Sequence, residues 1–69
     1  MRIEIKLYPE NKTTALDFKV ESATVMDVLS RLNIKPDTVV VIKDNDPIPI
    51  DEGVKDGDKL KIIKVASGG

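Results

Sequence analysis

The chain has 69 residues, enough for one domain whose core lies near the lower limit of self-sufficiency. It contains no cysteine and no histidine, which excludes thiol chemistry, thiolate metal sites, iron–sulfur ligation and the usual general base near neutral pH. Eleven basic residues against twelve acidic ones leave a net charge of −1, and Tyr8 and Phe18 are the only aromatics, poor material for non-specific nucleic-acid binding.

Residues 2–8, RIEIKLY, alternate: Ile3, Ile5 and Leu7 share one face, and Arg2, Glu4, Lys6 and Tyr8 the other. This is the period of a half-buried strand. Pro9-Glu10-Asn11-Lys12 is turn material. TALDFKV then alternates again, with Leu16, Phe18 and Val20 on its apolar side, so the two segments predict a hairpin. After Val20 the period changes. Val25, Val28, Leu29 and Leu32 form one helical stripe, with Thr24 placed to cap it and Asp27 in the capping-box position. Pro36 bars continuation, so the helix should stop near Asn33.

TVVVIK at 38–43 is a β-branched run without alternation, a strand with apolar groups on both faces. Asp44-Asn45-Asp46 turns the chain into Pro47-Ile48-Pro49-Ile50, an edge strand or an extended loop, because two prolines cannot serve a central ladder. Asp56-Gly57-Asp58 marks another turn, and KLKIIKV is the last strand. The order is β-β-α-β-(β)-β in one α+β domain over residues 1–65. The hairpin and the final strand should form one mixed sheet of four to five strands with the helix packed on one face. The final strand should run parallel to the first, since a helical crossover permits it. The expected core is Ile3, Ile5, Leu7, Leu16, Phe18, Val25, Val28, Leu29, Leu32, Leu60 and Ile62.

Three features in fixed order now carry a resemblance: VVVIKDNDPIPID, the DGDKLKIIKV segment, and Gly68-Gly69 after a strand that leads straight out. Together they cover most of residues 39–69, behind the β-β-α order of the first half. The sequence resembles the ubiquitin-like β-grasp family, and within it the prokaryotic sulfur carriers ThiS and MoaD and the small archaeal modifier proteins. That resemblance implies a flexible tail over 66–69 ending in a reactive Gly68-Gly69. It implies a ThiF- or MoeB-like activating enzyme that adenylates Gly69, then conversion to a thiocarboxylate for a sulfur acceptor enzyme or attachment to target-protein lysines. On this reading the protein is a monomeric substrate and carrier, not an enzyme. It binds no cofactor itself, and ATP is consumed by the partner. The alternative is a β-grasp interaction module that does not conjugate. A nucleotide- or RNA-binding β-grasp domain is disfavoured by the near-neutral charge.

Residue chemistry suits the carrier reading. A chain-end carboxyl titrates near about 3.3–3.7 and is ionised at neutral pH, so it can attack a phosphate without a base from this domain. Glycine leaves its carbonyl without a neighbouring Cβ and gives the tail backbone angles closed to other residues. The four residues beyond Val65 span at most about 14 Å when extended. Asp56-Gly57-Asp58 is turn chemistry rather than a ligand site, since a calcium loop needs more ligands at set spacing. Asp44, Asp46, Asp51 and Glu52 are solvated loop residues rather than a metal cluster.

Parity along the last strand defines a second candidate site. With Leu60 and Ile62 facing the core, Lys61, Ile63 and Val65 face the other way, joined by either Val39 with Val41 or Val40 with Ile42. The resulting apolar patch lies beside the root of the tail, with Lys61 and Lys64 expected at its rim. The resemblance implies that partners dock on this face. Without a signal-like or membrane-length apolar run, the expected location is the cytoplasm, with no membrane partner.

Overall fold

The computed structural model describes residues 1–65. Strands β1 (Arg2–Tyr8) and β2 (Lys12–Asp17) form the expected antiparallel hairpin. Helix α1 spans Val25–Arg31, with β4 at Val39–Lys43 and β7 at Lys59–Lys64. A five-stranded sheet runs in the order β2-β1-β7-β4-β5, where β5 is Asp46–Ile48. The last strand is thus central, parallel to β1 and antiparallel to β4. A second, two-residue pairing joins β3 (Ala23–Thr24) to β6 (Gly53–Val54). No periodicity announces strands this short.

Local chemistry explains the boundaries. The Thr24 side chain accepts from the Asp27 backbone N–H while Asp27 Oδ2 accepts from the Thr24 N–H, a complete capping box at the start of α1. The helix ends at Arg31, and Asn33 takes φ 60°, a conformation asparagine tolerates better than most residues. Between β4 and β5, Asp44 and Asn45 both have positive φ, and Lys43 pairs with Asp46, which is a two-residue hairpin turn matched to the strand twist. The Pro47 segment is a true strand, and it sits at the sheet edge where proline is tolerated.

The buried core comprises Ile3, Ile5, Phe18, Ala23, Val25, Val28, Leu29, Val41, Val54, Leu60 and Ile62, all in one cluster between sheet and helix. Leu7, Leu16 and Leu32 are partly buried against it. Two expectations change. Strand β2 ends at Asp17 rather than running to Val20: the backbone bends over residues 19–21, so Phe18 stays buried while Val20 is 54% exposed. Arg31 marks that exit, its guanidinium 4.7 Å from the Phe18 ring centroid and donating to the Asp17 carbonyl at 3.3 Å. Ala23 and Val54 enter the core through the small second sheet, and Val41 through its pairing with Ile62.

The Asp56-Gly57-Asp58 turn is a structural hub. Gly57, at φ 87°, donates its N–H to the Arg2 carbonyl, and the Arg2 N–H donates to Asp56 Oδ1 at 2.7 Å. Asp58 Oδ2 accepts from the Lys55 N–H at 2.8 Å and pairs with Lys43 Nζ at 3.2 Å, both side chains largely shielded from solvent. The Arg2 bonds, with the Glu4 N–H donating to the Asp58 carbonyl, tie the start of β7 to the start of β1 and so set the register of that pair, while Lys43 joins the turn to β4. Among the described residues no group of three or more acidic side chains is arranged to hold a metal ion. No helix among them is long and apolar enough to cross a membrane.

Candidate functional site

The described chain ends where β7 leaves the sheet. The Val65 N–H donates to the Thr38 carbonyl at 3.0 Å, so the short 3-10 turn Pro36–Thr38 holds the strand one residue beyond its last ladder pair. Because β7 is central, the chain leaves from the middle of one end of the sheet, with β1 and β4 on either side. Gly68, Gly69 and the rest of the 66–69 tail lie outside the described residues.

Two surfaces meet at this outlet. On the face away from the helix, register places Tyr8, Ile63 and Val40 side by side across β1, β7 and β4. Ile63 is half-buried and Val65 is 61% exposed. Of the two parities open to β4, Val40 with Ile42 turns outward, since Val41 is buried opposite Ile62. Lys6, Lys61 and Ile42 form the next row. On the helix side, a groove of about 530 Å³ opens beside the same outlet, floored by Leu7, Leu32, Ile34, Val39 and Ile62.

The residues expected to dock a partner are therefore divided. Lys61, Ile63 and Val65 stand together on the open face. Lys64 does not join them: it pairs opposite Val39 and lines the helix-side groove. Strand alternation is the cause, because residues three apart point to opposite faces, so the parity that grouped Ile63 with Val65 already separated Lys64. Tyr8, Lys6 and Val40 complete the open face: alternation set Lys6 and Tyr8 on one side of β1 and left Val40 as one of two options on β4, but their place beside Ile63 and Lys61 carried no mark in the sequence. They reach it only through the pairing of strands far apart in the chain.

Similarity to known proteins agrees with this geometry. The profile of the small archaeal modifier protein 2 family matches residues 1–66. A protein of Archaeoglobus fulgidus is 36% identical over 69 residues, covering 100% of both chains. SAMP1 from Haloferax volcanii superposes with a TM-score of 0.75 at 23% identity, covering 100% of each chain. The Caldiarchaeum subterraneum ubiquitin gives 0.72 at 25% identity, over 100% of this chain and 98% of that one. The thiamine biosynthesis protein ThiS from Geobacter metallireducens gives 0.64 at 25% identity, over 96% and 99%. The mixed sheet with a single helix on one face is the ubiquitin-like β-grasp fold.

Proposed function

We propose a function from one premise: this chain belongs to the small archaeal modifier protein 2 family, a ubiquitin-like branch of small modifiers and sulfur carriers. The reactive group is the carboxyl of Gly69. An ATP-dependent activating enzyme of the ThiF or MoeB kind supplies the chemistry. The carboxylate oxygen attacks the α-phosphorus of ATP, a C–O–P linkage forms, and pyrophosphate leaves. A sulfur nucleophile at the sulfide level then displaces AMP to leave a thiocarboxylate, or a target lysine amine displaces it to form an isopeptide bond. No side chain of this domain takes part in either step. It serves as a carrier that is itself acted upon, with no cofactor of its own.

The observation that carries this reading is the family match over nearly the whole domain, joined to a central strand whose end is held by Thr38. That anchorage holds the end of β7 at Val65, so the globular part can remain outside a nucleotide site while about 14 Å of extended chain beyond it reaches in. The open face around Ile63, Val65 and Lys61 is the surface that the enzyme grips meanwhile. ATP-dependent pyrophosphate exchange with the cognate activating enzyme, measured on the full chain and on one lacking Gly69, tests the assignment. Exchange should disappear with Gly69 while the fold is unchanged. Equal exchange by the two would remove the case for a reactive terminus.

A further inference from the structure

The main sheet has two free edges, β2 and β5, and the chain treats them differently. In an antiparallel hairpin, opposed residues alternate between pairs that exchange both backbone bonds and pairs that exchange none. Met1 and Phe18 exchange both, at 2.8 and 2.7 Å. The register then runs unbroken to Leu7–Lys12, so the positions of β2 bonded to β1 are Lys12, Thr14 and Leu16. The first strand agrees: Arg2 and Glu4 direct their N–H groups to the Asp56–Asp58 turn instead. Thr13, Ala15 and Asp17 therefore point N–H and C=O away from the sheet. Arg31 donates to the Asp17 carbonyl at 3.3 Å, while among the described residues no bond reaches the outward groups of Thr13 and Ala15. On the far edge, the Asp44-Asn45 turn makes Lys43–Asp46 a bonded pair, so Pro47 holds the outward position of β5 and has no N–H to offer. Natural sheets blunt their edges with proline, charge or a bulge. From Thr13 to Leu16 the second strand has none of these.

We propose that β2 is a strand-addition edge whose occupant is β2 of a second copy of this chain, antiparallel about a two-fold axis at Thr14. This departs from the expected monomer and rests on the edge alone, independent of the carrier reading. In that register Thr13 lies opposite Ala15 of the second copy and Ala15 opposite its Thr13, and the two pairs use every outward backbone group of both residues. Thr14 meets its own counterpart at the axis in a non-bonded pair, where side chains come closest and threonine pairs are favourable. Lys12 falls opposite Leu16, and its stem covers that partly buried side chain. No charge opposes a like charge, and the Asp17 carbonyl keeps Arg31. An extended segment of a different protein fits less well. Peptide capture on an edge takes its specificity from pockets for alternate side chains. The cavity at this end of the strand is lined by Phe18, Val20, Ala23 and Arg31, past the carbonyl that Arg31 closes. A ladder this short buries little area, so the association is weak and depends on concentration. Val65, at the end of β7, is separated from the junction by β1, so pairing leaves the outlet uncovered.

Sedimentation equilibrium of the full chain over a concentration series, with amide hydrogen exchange at both ends of the series, tests the pairing. The mass should rise toward that of two chains as concentration reaches the millimolar range. There the Thr13 and Ala15 amides should exchange at least about twofold more slowly than in dilute solution, while Thr14 and Leu16, bonded to β1, are protected throughout. Ala15→Pro removes an outward N–H that β1 does not use, so the variant should keep its fold by thermal melting and stay monomeric at every concentration. If the proline variant melts early, Ala15→Lys takes its place: it keeps every backbone bond, sets like charges beside the axis, and should likewise stay monomeric. A chain that is monomeric throughout, with Thr13 and Ala15 exchange unchanged across the series, would overturn the proposal. So would association that persists in both variants, which would put the contact on another surface. Slowed exchange at Thr13 and Ala15 that appears only when the activating enzyme is added would give the edge to a partner strand and refute the second copy.

Discussion

Replacing Leu29 with alanine probes whether the helix stripe seats the core as described. Leu29 is fully buried, in one cluster with Ile3, Ile5, Val25, Val28, Leu60 and Ile62. The change removes roughly three carbon groups at about 0.8 kcal/mol each, or about 2.4 kcal/mol of transfer free energy. The cavity left in a packed interior adds to this, so a loss of about 3–4 kcal/mol is expected, within the usual leucine-to-alanine range. Alanine is no worse a helix former than leucine, so propensity cannot account for a loss of that size. A 69-residue chain at typical stability per residue holds only about 3–10 kcal/mol in total. With an urea m-value near about 1 kcal/mol/M, the midpoint should fall by about 3 M, or the variant should be largely unfolded in buffer. Met26→Ala is the control, one helical position away from the stripe and 37% exposed, and should change stability by less than about 0.5 kcal/mol. A loss below about 1 kcal/mol for Leu29→Ala, or one no larger than that of Met26→Ala, would refute this placement of the helix face.

Thr24→Ala removes the side-chain half of the capping box and should cost about 1 kcal/mol in denaturant unfolding, with Thr24→Ser close to neutral. Gly57→Ala should also cost about 1–2 kcal/mol: the added Cβ meets no heavy atom within 4 Å, so the loss measures the φ of 87° rather than a clash. Ile63→Asp should keep the fold by thermal melting yet bind the activating enzyme at least about tenfold more weakly; unfolding would show that the open face is in fact covered.

Legibility in the sequence followed the range of the interactions involved. Strand β1, the helix stripe, its Thr24–Asp27 cap and the turn at Gly57 are legible because each depends on residues within a few positions of one another: alternation, a 3.6-residue period, a capping spacing and a positive φ. The proposed carrier chemistry rested on equally local features, two adjacent glycines and the strand before them, and Gly68 and Gly69 lie outside the described residues. Residues 39–42 could not be oriented this way. Val39, Val40, Val41 and Ile42 are apolar at every position, so parity has no contrast to read, and only pairing with β7 turned Val41 inward opposite Ile62 and Val40 outward beside Ile63. The same long-range register created the Lys6–Lys61 opposition from residues 55 positions apart. It depends on the hydrogen bonds that Asp56, Gly57 and Asp58 make to the first strand, which lock β7 against β1 at one offset. Ala23 and Val54 joined the core through a two-residue pairing too short to have a period. A pattern can specify which residues share a face of one strand; which residues share a surface across strands is settled only when the strands are hydrogen-bonded in register.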